Sequence, residues 1–103
     1  MPDRPEIVCI CGSARFSEEM LAANLDLTLA GAIVVAPSVF SRPDDRELSD
    51  EQKIALGALH LRKIDLADRV LVVNPGGYLG ESTTREIAYA HTTGKPVSFT
   101  NPA

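Results

Sequence analysis

Four short apolar runs, each rich in Val or Ile, alternate with three helical patterns, and this constrains the chain more than any other feature. The runs fall at residues 6–11, 32–36, 69–74 and 96–99. Strands that alternate with helices predict a parallel sheet joined by right-handed crossovers. The runs are nearly continuous in apolar residues, as strands are when helices cover both faces of their sheet. The first helix is predicted over residues 17–29. Ser17 would be its N-cap, Glu18 and Glu19 its first turn, and Met20, Leu21, Leu25 and Leu29 its apolar stripe, with Gly31 as the stop. A second begins at Ser49 or Asp50 and ends near Ala67. It carries Ile54, Leu56, Leu59, Leu61 and Ile64, with Lys53, Arg62 and Lys63 at polar positions. The third starts at Ser82 or Thr83 and runs to His91 or Thr92, with Gly94 and Lys95-Pro96 leading into the last strand. The fold class that follows is α/β: a small flavodoxin- or Rossmann-like three-layer sandwich whose parallel sheet has about four strands.

At 103 residues, with 45% hydrophobic and 23% charged residues, the chain fits one domain spanning residues 1–103. It shows no repeat, linker or low-complexity tract. A domain this short gains stability by pairing through an apolar face, so a homodimer is expected. The net charge of −4, with Lys and Arg scattered, argues against a nucleic acid polymer as partner. A small anionic ligand needs only a local site. With neither a signal peptide nor an apolar run of membrane-spanning length, the sequence reads as cytoplasmic, with no membrane partner. Cys9 and Cys11 stand at i and i+2 in a strand, too far apart for an unstrained bridge. With no His nearby in sequence they make a poor zinc site, and small buried thiols in a reducing compartment are the expectation.

The chemistry is expected beyond the carboxyl ends of the strands, where open parallel sheets bind their ligands. The first such segment is Gly12-Ser13-Ala14-Arg15-Phe16, in which Gly12 permits close approach, Ser13 donates a hydrogen bond and Arg15 holds a phosphate or carboxylate. The second, Pro37-Ser38-Val39-Phe40, offers Phe40 to stack on a base, at the start of an aperiodic polar stretch, residues 37–50, long enough for a lid or substrate loop. The third is the run Asn74-Pro75-Gly76-Gly77-Tyr78-Leu79-Gly80, which turns a strand into a helix. Gly77 and Gly80 let the backbone approach a ligand, and the helix start turns unpaired N–H groups toward an anion. Glu86 follows in the first turns, where the helix dipole favours a carboxylate. Plainer readings stand beside these. Gly12 and Ser13 serve equally as turn and cap, Ser82 with Arg85 or Glu86 as a capping arrangement, and Asp65 and Asp68 as helix-end acids. His60 reads as a helix residue of no special role, and His91 suits a helix C-terminus.

Cys11-Gly12-Ser13, the run from Ile64 through Asp65-Leu66-Ala67-Asp68 to Val73, and Gly80-Glu81-Ser82-Thr83-Thr84-Arg85-Glu86-Ile87-Ala88-Tyr89-Ala90 together resemble the nucleoside 2-deoxyribosyltransferase superfamily. That group includes the 2′-deoxynucleoside 5′-phosphate N-hydrolases. The resemblance covers nearly the whole chain and implies a small-molecule partner, a nucleoside or nucleoside 5′-monophosphate, and no cofactor or metal. It puts on Glu86 the nucleophile that attacks the anomeric carbon, with Asp65 nominated as the acid that assists the leaving base. Ser13, Arg15, Ser82 and Thr83 would hold the sugar or 5′-phosphate, and Phe16, Phe40 or Tyr78 would stack on the base. Ala88 replaces a glycine common in that family, and the chain is shorter than typical transferases, which favours glycosidic hydrolysis over transfer. Asn101 is a candidate for a C-terminal segment lent to a neighbouring subunit. Pro75-Gly76-Gly77 with Thr83 to Glu86 also echoes the phosphoribohydrolases of the "lonely guy" type, interrupted by three extra residues. A non-catalytic nucleotide-binding module is the remaining reading.

Overall fold

In the computed structural model, which describes residues 4–37 and 49–101, seven elements follow in strict alternation. They are β1 (Ile7–Gly12), α1 (Ser17–Leu29), β2 (Ile33–Val35), α2 (Asp50–Leu66), β3 (Arg69–Val73), α3 (Glu81–Thr92) and β4 (Val97–Phe99). The strands form one sheet in the order β2-β1-β3-β4, and every pairing is parallel. The α/β class, the strand number and the three layers agree with the expectation. Most of the polar stretch assigned to a lid, Phe40 included, lies outside the described residues.

β1 is central and feeds two cores. Its side chains alternate, so Cys9 and Cys11 face α2 and α3, packing with Ile64, Ala67, Val70, Val72 and Ala90. Ile10 turns the other way, onto Met20 of α1 and Val73. In register, Cys9 pairs with Val70, Cys11 with Val72 and Gly12 with Val73. β1 therefore runs one residue further than the sequence suggested. At Gly12 a Cβ would lie 2.9 Å from the Val73 carbonyl oxygen and 3.2 Å from Met20 Sδ, so close packing requires glycine there.

Two local expectations are corrected. Ser17 is the first residue of α1 rather than its cap, because a single 3₁₀ turn, Ala14–Phe16, leads straight into the helix; Ser13 caps that turn instead, its Oγ accepting from Arg15 N–H. The apolar stripe of α1 is also turned. Met20 is buried, with Ala23 and Leu27 beside it, whereas Leu21, Leu25 and Leu29 are 68%, 57% and 77% exposed. Both rows have helical spacing, and the row carrying the small Ala23 lets the helix approach the sheet closely. On α2, likewise, Ile64 is buried while Ile54 and Leu59 are exposed. Its start matches the expectation: Ser49 Oγ accepts from Gln52 N–H at 3.1 Å and the Gln52 side chain accepts from Ser49 N–H at 2.9 Å, a reciprocal cap.

At the amino-terminal end of the strands Arg4 forks onto Asp68 at 2.7 and 3.0 Å, and Asp68 accepts the Ile7 N–H at 2.8 Å. These bonds, first Arg4 and then Ile7, hold the Asp68 carboxyl well below the usual carboxylate range. Among the described residues no helix is long and apolar enough to cross a membrane.

Candidate active site

β1 is followed in sequence by β2 on one side and later by β3 on the other, so the crevice of the sheet opens beyond the carboxyl ends of β1 and β3. The loops after these strands meet there. The Arg15 guanidinium lies 4.4 Å from the centroid of the Tyr78 ring, and Phe16 meets the same ring edge-on at 5.7 Å. Gly76 and Gly77 turn the chain with φ of 68° and 80°, conformations that favour glycine. The buried Asn74 fastens this turn: its carbonyl accepts from Gly77 N–H at 2.8 Å, while its side chain bonds both main-chain groups of Asn101 at 2.9 and 3.0 Å. With the Asn101 amide oriented to suit its neighbours, its side-chain oxygen accepts from Gly77 and Gly76 N–H at 2.7 and 3.0 Å. The donors of the glycine turn are thus engaged within the chain, and Asn101 braces the turn of its own chain.

The cleft that holds Glu86 runs between α2 and α3. Its volume is about 690 Å³, and Lys53, Ala58, Ser82, Arg85, Glu86 and Tyr89 are among the residues that line it. From α3, positions 82, 85, 86 and 89 share one face, as helical spacing requires. The Glu86 carboxylate is 16% exposed. Burial raises its pKa above the ordinary carboxylate value, opposed by the nearby His60. Its Oε1 stands 3.7 Å from His60 Nε2, and the same ring nitrogen is 3.2 Å from Cys11 Sγ and 3.8 Å from Cys9 Sγ. Burial alone would lower the pKa of His60, but its bond with Cys9 and the charge of Glu86 outweigh that and raise it. Cys11 is raised strongly, first by its bond with Cys9 and then by burial, so its thiol is protonated at neutral pH.

Glu86, Ser82 and, across the cleft, α2 come together here, but the remaining predicted residues fall into other groups. Asp65 is exposed and does not line the cleft; Tyr89 Oη donates to it at 2.6 Å and accepts from Arg62 at 3.0 Å, so it meets the cleft through Tyr89. Arg15, Phe16 and Tyr78 form their own cluster at the strand ends. Gly12 is packed under Val73, Gly77 sits in the braced turn, and Gly80 precedes α3, where a Cβ would lie 3.4 Å from Tyr78 Oη. Thr83 is buried, and Ser82 Oγ accepts from Arg85 at 3.3 Å. His60, read from the sequence as a helix residue of no special role, is 5% exposed and touches both cysteines and Glu86. The cysteines therefore do have a histidine beside them, from α2, although none is near in sequence. Lys53, Arg85 and Tyr89 were not singled out as ligand contacts. The spacing of 82, 85, 86 and 89 carried that signal for α3, and His60 stands four residues before the buried Ile64, on the same inward face of α2.

The chain resembles in structure a 2-deoxyribosyltransferase from the psychrotolerant bacterium Bacillus psychrosaccharolyticus, with a TM-score of 0.70 over 90% of this chain and 70% of that one, at 19% sequence identity. At that identity the likeness is one of fold. No protein-family model matches the sequence, and no curated protein matches it.

Proposed function

We propose that the cleft between α2 and α3 is the active site of an enzyme that breaks the N-glycosidic bond of a nucleoside or nucleoside 5′-monophosphate, with Glu86 as nucleophile. The observation that carries this reading is the Glu86 carboxylate, largely buried yet lining a cleft of about 690 Å³ on a fold shared with a 2-deoxyribosyltransferase. Pockets for small ligands span about 300–1,000 Å³, so a nucleotide fits a cavity of this size.

In the proposed reaction a Glu86 oxygen attacks the anomeric carbon as the carbon–nitrogen bond to the base breaks, and the electron pair leaves with the base. The oxocarbenium-like transition state is stabilised by the adjacent anionic carboxylate. The resulting glycosyl ester is opened by water, giving the free sugar, or by a second base, giving a new nucleoside. Lys53 and Arg85 give the cleft two cationic side chains suited to a 5′-phosphate. Asp65, which accepts from the Tyr89 hydroxyl at 2.6 Å, would act by holding the Tyr89 ring in place at the cleft wall, with no proton of its own directed at the leaving base. Arg15, Phe16 and Tyr78 offer a stacking surface at the strand ends.

The test is free-base release, separated by chromatography, from ribo- and deoxyribonucleosides and their 5′-monophosphates, with and without an acceptor base. We expect release by the wild type and a loss on the order of 10³-fold in Glu86→Ala, equivalent to about 4 kcal/mol of barrier. Release that survives the substitution removes Glu86 from the mechanism. Nucleotide binding without release from any substrate would leave a binding module.

A further inference from the structure

β1 turns two thiols, Cys9 and Cys11, to one face, where both are fully buried, and α2 sets one imidazole against them. The two sulfurs and a His60 ring nitrogen lie within 4.8 Å of one another. For a tetrahedral zinc ion, with Zn–S of 2.3 Å and Zn–N of 2.0 Å, sulfur and nitrogen stand about 3.5 Å apart. His60 Nε2 is 3.2 Å from Cys11 Sγ and 3.8 Å from Cys9 Sγ, values on either side of that spacing. Glu86 Oε1, 3.7 Å from the same nitrogen, supplies a fourth donor from α3. Three donors from β1 and α2 thus lie together between the sheet and the helices, and the Glu86 carboxylate reaches their shared nitrogen from α3.

We propose that Cys9, Cys11 and His60 bind a zinc ion, with Glu86 as fourth ligand, and that the bound ion removes Glu86 from the cleft chemistry. The second half rests on the proposed function; the first does not. Two thiolates and an imidazole select a thiophilic ion over magnesium or calcium, which take oxygen donors. On binding, any thiol still protonated gives its proton to water; the two thiolates balance the charge of the ion, and the Glu86 carboxylate leaves one negative charge at the cleft side of the site. Access runs through the cleft, because Glu86 lines it while the sulfurs lie behind. His60 Nδ1 has no hydrogen-bond partner among the described residues. Ligating imidazoles ordinarily have their second nitrogen held by such a partner, which raises affinity.

The test uses the reduced, chelator-treated protein, titrated with zinc chloride in competition with a chromophoric chelator, and in parallel with cobalt(II) for its thiolate charge-transfer band. We expect one ion per chain, no competition by magnesium, and binding at least tenfold weaker in Cys9→Ser and in His60→Ala, with circular dichroism showing each variant folded. Glu86→Gln, which leaves both thiols in place, should keep the cobalt–thiolate band with weaker affinity. Absence of saturable zinc binding by the wild type, or binding unchanged in folded Cys9→Ser, overturns the site. In the base-release assay, zinc should inhibit the wild type reversibly and spare Cys9→Ser. Zinc bound without inhibition overturns the second half. Zinc bound to a protein that releases no base leaves the site standing and sinks the proposed function instead.

Discussion

At Gly12 the chain has no room for a methyl group: a Cβ would sit 2.9 Å from the backbone oxygen of Val73, which the sheet holds in place. Gly12→Ala should therefore cost about 1–3 kcal/mol, as overpacking does, seen as a lower urea midpoint at unchanged slope. An unchanged midpoint would mean that β1 and β3 can separate there without cost. Asp68 makes a prediction about acid. Its carboxyl is depressed in the folded state by Arg4 and the Ile7 N–H, so the unfolded chain binds the proton more readily. The stabilisation is present above the ordinary carboxylate pKa of about 3.9 and is lost as the pH falls below it toward the folded value. Melting temperature measured against pH should drop less steeply on the acid side in Asp68→Asn than in the wild type; parallel curves would dismiss the pair as a determinant of acid stability. The placement of Glu86 on the helix after β3 was legible in the sequence because a glycine-rich turn and a helix start preceded it. His60 was not, since its partners are 49 and 51 residues away on β1 and only the fold brings them together.

The reciprocal cap between Ser49 and Gln52 is the clearest stop-and-start signal among the elements. Ser49→Ala should cost about 1 kcal/mol, read by urea unfolding. A null effect would show that tertiary packing alone fixes the start of α2. The strands were legible to within a residue or so because Val and Ile runs of that length have few alternatives in an alternating chain. The rotation of α1 was not legible. Residues 20, 23 and 27 and residues 21, 25 and 29 are both apolar rows at helical spacing, and the sequence carries no mark of which faces the sheet. On α3 the face at 82, 85, 86 and 89 was open to inspection, and its arginine turned out to line the cleft. Arg85→Ala should raise KM for nucleoside 5′-monophosphates by about tenfold while altering KM for the nucleosides less. Equal effects on both would place the phosphate elsewhere, at Arg15 for instance.

For the whole molecule, β1 ties the two layers together, with its odd-numbered cysteines in one core and Ile10 in the other. Neither core can empty without disturbing the strand between them, so unfolding should be a single transition. Ile10→Ala should lower stability by about 2–5 kcal/mol, with far-ultraviolet dichroism and tyrosine fluorescence still changing together. Separate transitions would show the α1 layer to be an independent unit. The same strand also reaches toward the cleft, because the thiols it turns inward lie against His60 and through it against Glu86. The central claim is that Glu86 forms a covalent bond to the sugar, and the most direct measurement is mass spectrometry of protein quenched in acid during turnover, followed by peptide mapping. The account predicts a mass increase of one sugar or sugar phosphate on the peptide that contains α3, assigned to Glu86 and absent in Glu86→Ala. Base release by the wild type with an adduct on a different residue would contradict it.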